Sequence, residues 1–215
     1  MRKSLAAAVV LFLCCSPLFA QFTKGKPAFG VKSGINISTF RPAVTYENYD
    51  ADLKLGFVLG AFVDIPVSAR FSIQPEFLYS QMGARVFDGM NNFGNLILRY
   101  NYFSIPILAK YKITSLVTVV AGVQNDLLIR GRQEDDLGHK TTVTNTVKDY
   151  DFVYTAGVEF WVNKKKNLVT GARYMHGSQD VSISNENSTF FNQGVQVTIG
   201  YKLGKKMKKI KAAKK

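Results

Sequence analysis

Apolar and polar residues alternate along most of the chain after residue 20. In the segment 150–162 the apolar side chains of Phe152, Tyr154 and Val158 fall on one face, while Asp151 and Glu159 fall on the other. The segments 53–65 and 194–203 repeat this period of two. Such alternation is typical of a strand with one apolar and one polar face.

Eight segments of this kind can be delimited. They are 27–40, 53–65, 70–86, 95–110, 115–131, 149–162, 167–182 and 190–203, of which 95–110 alternates poorly. No segment carries an apolar stripe with a helical period, and no uncharged apolar stretch of about 18 residues follows Ala20. Strands are therefore the elements that the pattern predicts.

The links between these segments alternate in length. Short links lie at 66–69, 111–114 and 163–166, and longer ones lie at 41–52, 87–94, 131–148 and 183–189. Outer-membrane barrels have short periplasmic turns, longer extracellular loops and an even number of strands. The sequence predicts an all-β fold, an eight-stranded antiparallel up-and-down transmembrane β-barrel in a bacterial outer membrane. Aromatic residues near the strand ends, Phe40 and Tyr100 among them, are expected in two interfacial girdles.

The first twenty residues have the pattern of a secretory signal peptide. Arg2 and Lys3 precede an apolar run at 5–13, and Ala20 ends the segment with a small residue. The predicted organisation is a signal peptide at 1–20, a barrel domain at 21–203 and a basic periplasmic tail at 204–215. Both cysteines, Cys14 and Cys15, lie in the signal, so the mature protein is expected to have no disulfide and no thiol chemistry.

Positive charge is concentrated at the end of the chain. The net charge of the chain is +13, and the eight lysines from Lys202 onward, with no acid among them, contribute +8 of it. A global nucleic-acid footprint is therefore weak, and no nucleic-acid partner is expected. The tail and one short link predict a basic periplasmic face, which either binds anionic lipid or an acidic periplasmic or secretion partner, or is simply solvated. Its residues are Lys164, Lys165, Lys166, Lys205, Lys206, Lys208 and Lys209.

The polar face of the strands places charged side chains in the lumen. An eight-stranded barrel has an interior filled by side chains, and buried charges need partners or water. A lumenal network of ion pairs, and hence no wide pore, is predicted. The candidate residues are Lys54, Asp64, Glu76, Asp126, Arg130, Glu159 and Arg173.

Two groups of residues in the sequence could form a catalytic or metal site, and each also has a purely structural interpretation. Glu76 and Glu159 can be lumenal acids in catalysis or partners in structural ion pairs, and the second interpretation is favoured. His139 lies near the acidic run 134–136, which can bind a divalent cation or simply keep a loop soluble. No Ser/His/Asp arrangement is apparent. We expect no enzyme activity, no cofactor and no metal, a monomer, and lipid or lipopolysaccharide of the outer membrane as the surroundings.

Four runs of residues resemble a known family. They are FGVKSGINIS (29–38), LGFVLGAF (55–62), FSIQPEFLYSQMG (71–83) and YFSIPILAKY (102–111), and the run around Gln74-Pro75-Glu76 is the most specific. Together they resemble the PorT-family outer-membrane β-barrel proteins of Bacteroidetes-type bacteria. The resemblance implies an eight-stranded barrel, and its namesake is tied to type IX protein secretion. The chain departs from the family in its lysine-rich tail and in Ser104, where an acid is common.

The function expected from the sequence is that of a non-enzymatic integral barrel with a structural or adhesive role. Two alternatives stay open: an accessory component of protein secretion, and a small-solute pore.

Overall fold

A computed structural model describes residues 26–42, 49–88, 94–135, 137–144, 147–163, 167–180 and 190–203. The predicted signal peptide and the basic tail lie outside these residues. Within them there are ten β-strands and no α-helix. The strands are β1 (Ala28–Pro42), β2 (Tyr49–Asp52), β3 (Lys54–Pro66), β4 (Phe71–Asp88), β5 (Gly94–Lys112), β6 (Val117–Glu134), β7 (Lys140–Thr142), β8 (Tyr150–Trp161), β9 (Leu168–Gly177) and β10 (Phe190–Leu203).

Eight of the described strands close into a barrel. Around it, β1 pairs with β3, then β4, β5, β6, β8, β9 and β10 follow in order, and every pairing is antiparallel. The barrel closes because β10 pairs with β1 over fourteen positions, from Phe29 opposite Leu203 to Pro42 opposite Phe190. Closure leaves no barrel strand with an unpaired edge, which a membrane-spanning sheet requires. The predicted eight-stranded antiparallel barrel is confirmed.

The barrel is apolar outside and polar inside. On the outward face Leu55 is 68% exposed and Phe29 is 60% exposed, whereas the inward-facing Glu76 is 0% exposed. The outward surface suits hydrocarbon rather than water. Among the described residues, no helix is long and apolar enough to cross a membrane.

Short turns occupy one end of the barrel, which we call the turn end. The Ser68 hydroxyl accepts a hydrogen bond from the backbone N–H of Phe71 at 3.0 Å, and the Thr114 hydroxyl accepts one from Val117 at 3.0 Å. Hydroxyl residues close turns in this way because the side-chain oxygen replaces a backbone acceptor. The opposite end, which we call the loop end, carries the longer connections and the short strands β2 and β7.

An apolar plug fills the loop end of the barrel. Its buried members are Phe40, Met82, Ala84, Tyr100, Tyr102, Val147, Val153 and Met175. Val147, from the connection between β7 and β8, is 2% exposed, so this connection packs into the barrel mouth. The prediction that Phe40 and Tyr100 belong to an outer aromatic girdle is wrong, because both rings pack inside this plug, 5.4 Å apart.

A β-bulge interrupts β6. Asn101 of β5 lies opposite Arg130, but Tyr102 lies opposite Leu128, so Ile129 is the extra residue. Ile129 and Arg130 are consecutive and both exposed. Beyond the bulge the alternation of β6 is therefore inverted relative to the sequence pattern.

Candidate functional site: the barrel lumen

Glu76 lies at the centre of an ion-pair network inside the barrel. The ammonium group of Lys32 is 2.5 Å from its Oε1, and a guanidinium nitrogen of Arg173 is 3.0 Å from its Oε2. The amide of Gln74 donates a third hydrogen bond at 2.6 Å. Both carboxylate oxygens are thus satisfied by donors from three different strands.

A second carboxylate extends the network across the lumen. Glu159 of β8 pairs with Lys110 of β5, and its Oε1 lies 3.9 Å from Lys32. Lys110 also donates to the Gln74 amide oxygen at 2.7 Å. Lys32, Gln74, Glu76, Lys110, Glu159 and Arg173 together form what we call the central network. Its members come from β1, β4, β5, β8 and β9, so one connected set of charges ties most of the barrel wall together.

A separate ion pair lies at the turn end of the lumen. Lys202 of β10 pairs with Asp64 of β3, and its ammonium group sits 4.6 Å from the centre of the Trp161 ring. A cation over an indole face is attracted by the ring quadrupole. Lys202, Asp64 and Trp161 therefore obstruct the turn end of the lumen.

Two carboxylates without an ion-pair partner lie nearer the loop end. Asp126 of β6 is directly opposite Asp151 of β8, and both are buried. Gln124 donates to both oxygens of Asp126 at 2.9 and 3.0 Å, and Asn192 donates to Asp151 at 2.9 Å. Neither acid forms an ion pair with a side chain in the described part of the chain.

The predicted lumenal residues fall into distinct positions. Glu76 and Arg173 contact each other, Glu159 joins them through Lys32, and Asp64 pairs at the turn end. Lys54 faces inward at the loop end, where its ammonium group lies 3.4 Å from the carbonyl oxygen of Leu55 and pairs with no described acid.

The lumenal position predicted for Arg130 is wrong. Arg130 is exposed, because the extra residue Ile129 turns it to the outside of the barrel. Three lumenal cations were not among the predicted residues: Lys32, Lys110 and Lys202. Lys32 and Lys202 occupy polar positions of alternating strands, so the alternation was a usable signal for them, whereas Lys110 lies in the segment that alternates poorly.

Little free volume remains around the central network. The lumenal side chains of Lys32, Glu76 and Gln124 are at most 4% exposed. A pocket of about 10 Å³ beside Lys32, Glu159 and Arg173 has room for about one water molecule. Side chains lining an open aqueous channel would be accessible, so the lumen is closed by its own contents.

The histidines lie away from the lumenal acids. The ring of His139 is 3.1 Å from the Asp135 carboxylate in an exposed turn, and His176 lies 3.4 Å from Arg41. No group of three or more His, Cys, Asp or Glu side chains in the described residues has the geometry of a metal site. Asp136 and every lysine of the predicted basic periplasmic face lie outside the described residues.

Comparisons with known proteins agree with this architecture. The family model described as "Outer membrane protein beta-barrel domain" matches residues 19–207. The structure is similar to Neisserial surface protein A, with a TM-score of 0.55 and 10% identity, over 83% of this chain and 100% of that one. It also matches Ail of Yersinia pestis, with a TM-score of 0.48 and 14% identity, over 83% of this chain and 100% of that one. No curated protein matches the sequence.

Proposed function

Because the chain belongs to the outer membrane protein β-barrel domain family and is therefore a bacterial outer-membrane protein, we propose that it is a non-enzymatic barrel with a structural or adhesive role. In this proposal the lumen is a rigid, filled core. The short turns face the periplasm, and the longer connections face outward, where adhesive contacts would form.

The observation that carries the proposal is the filling of the lumen. The central network occupies the middle, Lys202, Asp64 and Trp161 obstruct the turn end, and the apolar plug fills the loop end. A pore needs a continuous wet path, and each of these three layers interrupts it. The same layers stiffen the wall, which suits a barrel that presents loops.

Bilayer conductance tests the filled lumen. The refolded mature protein should show no single-channel steps in a planar bilayer, since ions find no hydrated path. The double variant Glu76→Ala/Arg173→Ala removes only the central layer, so it should also show no steps while the turn-end layer and the apolar plug remain. Discrete conductance steps from the parent protein would favour the small-solute pore instead.

The resemblance to the PorT family supports a second candidate, an accessory role in protein secretion. The run that carries this resemblance most specifically includes Gln74 and Glu76, whose side chains face the lumen and belong to the central network. The residues of this run therefore have a structural role inside the barrel, and they do not identify a secretion partner. Specific co-purification of a periplasmic or outer-membrane protein would favour the secretion role over the structural one.

A further inference from the structure

The part of the wall formed by β4, β5, β6 and β7 rises above the rest at the loop end and carries positive charge on its outward face. Its four arginines and one lysine are exposed and form what we call the outer basic patch. Its members are Arg85, Arg99, Arg130, Arg132 and Lys140.

The strand register brings these cations side by side. Arg99 lies directly opposite Arg132, and Arg130 is two residues from Arg132 on the same face of β6. Glu134 lies opposite Lys140, and Asp52 lies opposite Arg85, so acids occur at the edge of the patch. The β-bulge is what assembles the patch, because without it Arg130 and Arg132 would face inward.

The acids neutralise only part of this charge. Glu134 lies 3.5 Å from Arg99 and 3.8 Å from Lys140. Arg85, Arg130 and Arg132 form no ion pair with any described side chain. Like charges directly opposite each other destabilise a sheet, so an anion bound between the facing Arg99 and Arg132 would be favourable.

The patch begins where the apolar band ends. The outward row with Tyr79, Phe103 and Tyr150 is aromatic, and the next row contains the polar residues Gln81, Asn101 and Arg130. Gln81 lies ten residues along β4 from Phe71, the first residue of that strand. At about 3.4 Å per residue and a tilt of about 40°, this places Gln81 roughly 26 Å above Phe71. Rows climb from β4 to β6 by roughly 3 Å per strand, so Arg130 lies roughly 32 Å above Phe71. That height is several ångströms above an apolar band of about 25 Å, which places the arginines in the layer of the outer headgroups.

We propose that the outer basic patch binds the phosphate groups of a phosphorylated glycolipid in the outer leaflet, lipopolysaccharide being the one expected there. The guanidinium group is suited to this ligand because its planar fork donates two parallel hydrogen bonds to one phosphate. A phosphate seated between Arg99 and Arg132 relieves their repulsion, and Arg130 contacts the same headgroup from below. The inference rests on the outer-membrane location and on the outward orientation of the loop end in the proposed function.

The test measures binding of purified lipopolysaccharide to the refolded protein in a neutral detergent. The triple variant Arg99→Gln/Arg130→Gln/Arg132→Gln should bind at least tenfold more weakly than the parent. The matched control Arg70→Gln/Lys112→Gln removes exposed cations at the turn end and should bind like the parent. Enzymatically dephosphorylated lipopolysaccharide should bind the parent as weakly as the intact lipid binds the triple variant.

The inference would be overturned if the triple variant bound lipopolysaccharide as tightly as the parent, or if the turn-end control lost as much affinity as the triple variant. It would also be overturned if inorganic phosphate or a sulfated polysaccharide, at the same concentration as the lipid, displaced the lipid completely. If the triple variant does not fold, the single variant Arg132→Gln is measured instead. Its affinity for lipopolysaccharide should fall at least threefold, and an unchanged affinity would contradict the site. A conducting parent protein that still binds lipopolysaccharide through these arginines would refute the filled lumen and leave the patch standing.

Discussion

Glu76 is the residue on which the interior depends most. Its carboxylate lies between Lys32 and Arg173 in a place without solvent, so removing its charge leaves two buried cations with reduced compensation. Breaking a buried ion pair from one side is costly, whereas an exposed pair contributes little.

Glu76→Gln should lower the free energy of unfolding by about 3–5 kcal/mol. The matched control is Glu134→Gln, which breaks two partly exposed pairs and should cost less than about 1 kcal/mol. Urea unfolding of the protein folded in detergent micelles, followed by tryptophan fluorescence, measures both. Equal losses in the two variants would show that the central network does not support the barrel.

The turn between β6 and β7 should respond to acid. The backbone N–H of His139 donates to the Asp135 carboxylate at 2.8 Å, and with the N–H of Leu137 it lowers the pKa of Asp135 from the ordinary 3.8. Because the folded pKa lies below the unfolded one, the carboxylate stabilises the turn above about pH 4. That stabilisation is lost as the pH falls through the lowered value.

Amide hydrogen exchange at His139 measures whether the turn loses stability on acidification. Its protection should be constant down to about pH 4, once the intrinsic exchange rate is corrected for, and should fall below that value. Asp135→Asn should remove the pH dependence. Protection that rises on acidification would contradict the bonding of this turn.

At the residue scale, the alternation predicted the inward-facing side chains, with the exception of Arg130, but not which of them contact each other. Glu76 and Arg173 are 97 positions apart, and their contact depends on the stagger of strands around the barrel, which no local pattern contains. The backbone of Lys110 lies next to the short link 111–114, yet its ammonium group reaches into the lumen to Glu159. Long lysine side chains make the position of a charge differ from that of its backbone.

At the element scale, the eight barrel strands follow the predicted segments closely, while β2 and β7 fall in predicted loops. β7 has three residues and β2 has four, too few for a period of two to be recognised. The segment 95–110 alternates poorly because its inward residues Tyr100 and Tyr102 belong to the apolar plug. The bulge at Ile129 was not predictable, since an extra residue in a strand leaves no compositional mark.

Cysteine labelling tests the bulge directly. In a background without other thiols, Arg130→Cys should react rapidly with a membrane-impermeant maleimide, because the side chain points outward above the apolar band. Gln124→Cys, on the same strand but facing the lumen, should react at least tenfold more slowly. Slow labelling at position 130 would mean that β6 keeps its alternation and that the outer basic patch does not form.

At the scale of the whole molecule, closure turns a polar strand face into a core. The polar face of each strand would be exposed to solvent in an open sheet. Only the pairing of β1 with β10 encloses these faces in the barrel and removes them from water. Enclosure strengthens the ion pairs, and the ion pairs occupy the space that a pore would need. The filled lumen and the closed wall are therefore one structural feature.

The most direct test of this account is a disulfide across the seam between the first and last strands. Ile35 of β1 lies directly opposite Val197 of β10, and both side chains face outward. In the mature protein, which is predicted to contain no other cysteine, Ile35→Cys/Val197→Cys should cross-link in high yield under mild oxidation. The band should stay resistant to SDS without boiling. The control Ile35→Cys/Gln193→Cys, four residues out of register, should cross-link poorly. Poor cross-linking of the matched pair, or equal yields for both pairs, would contradict a barrel closed in this register.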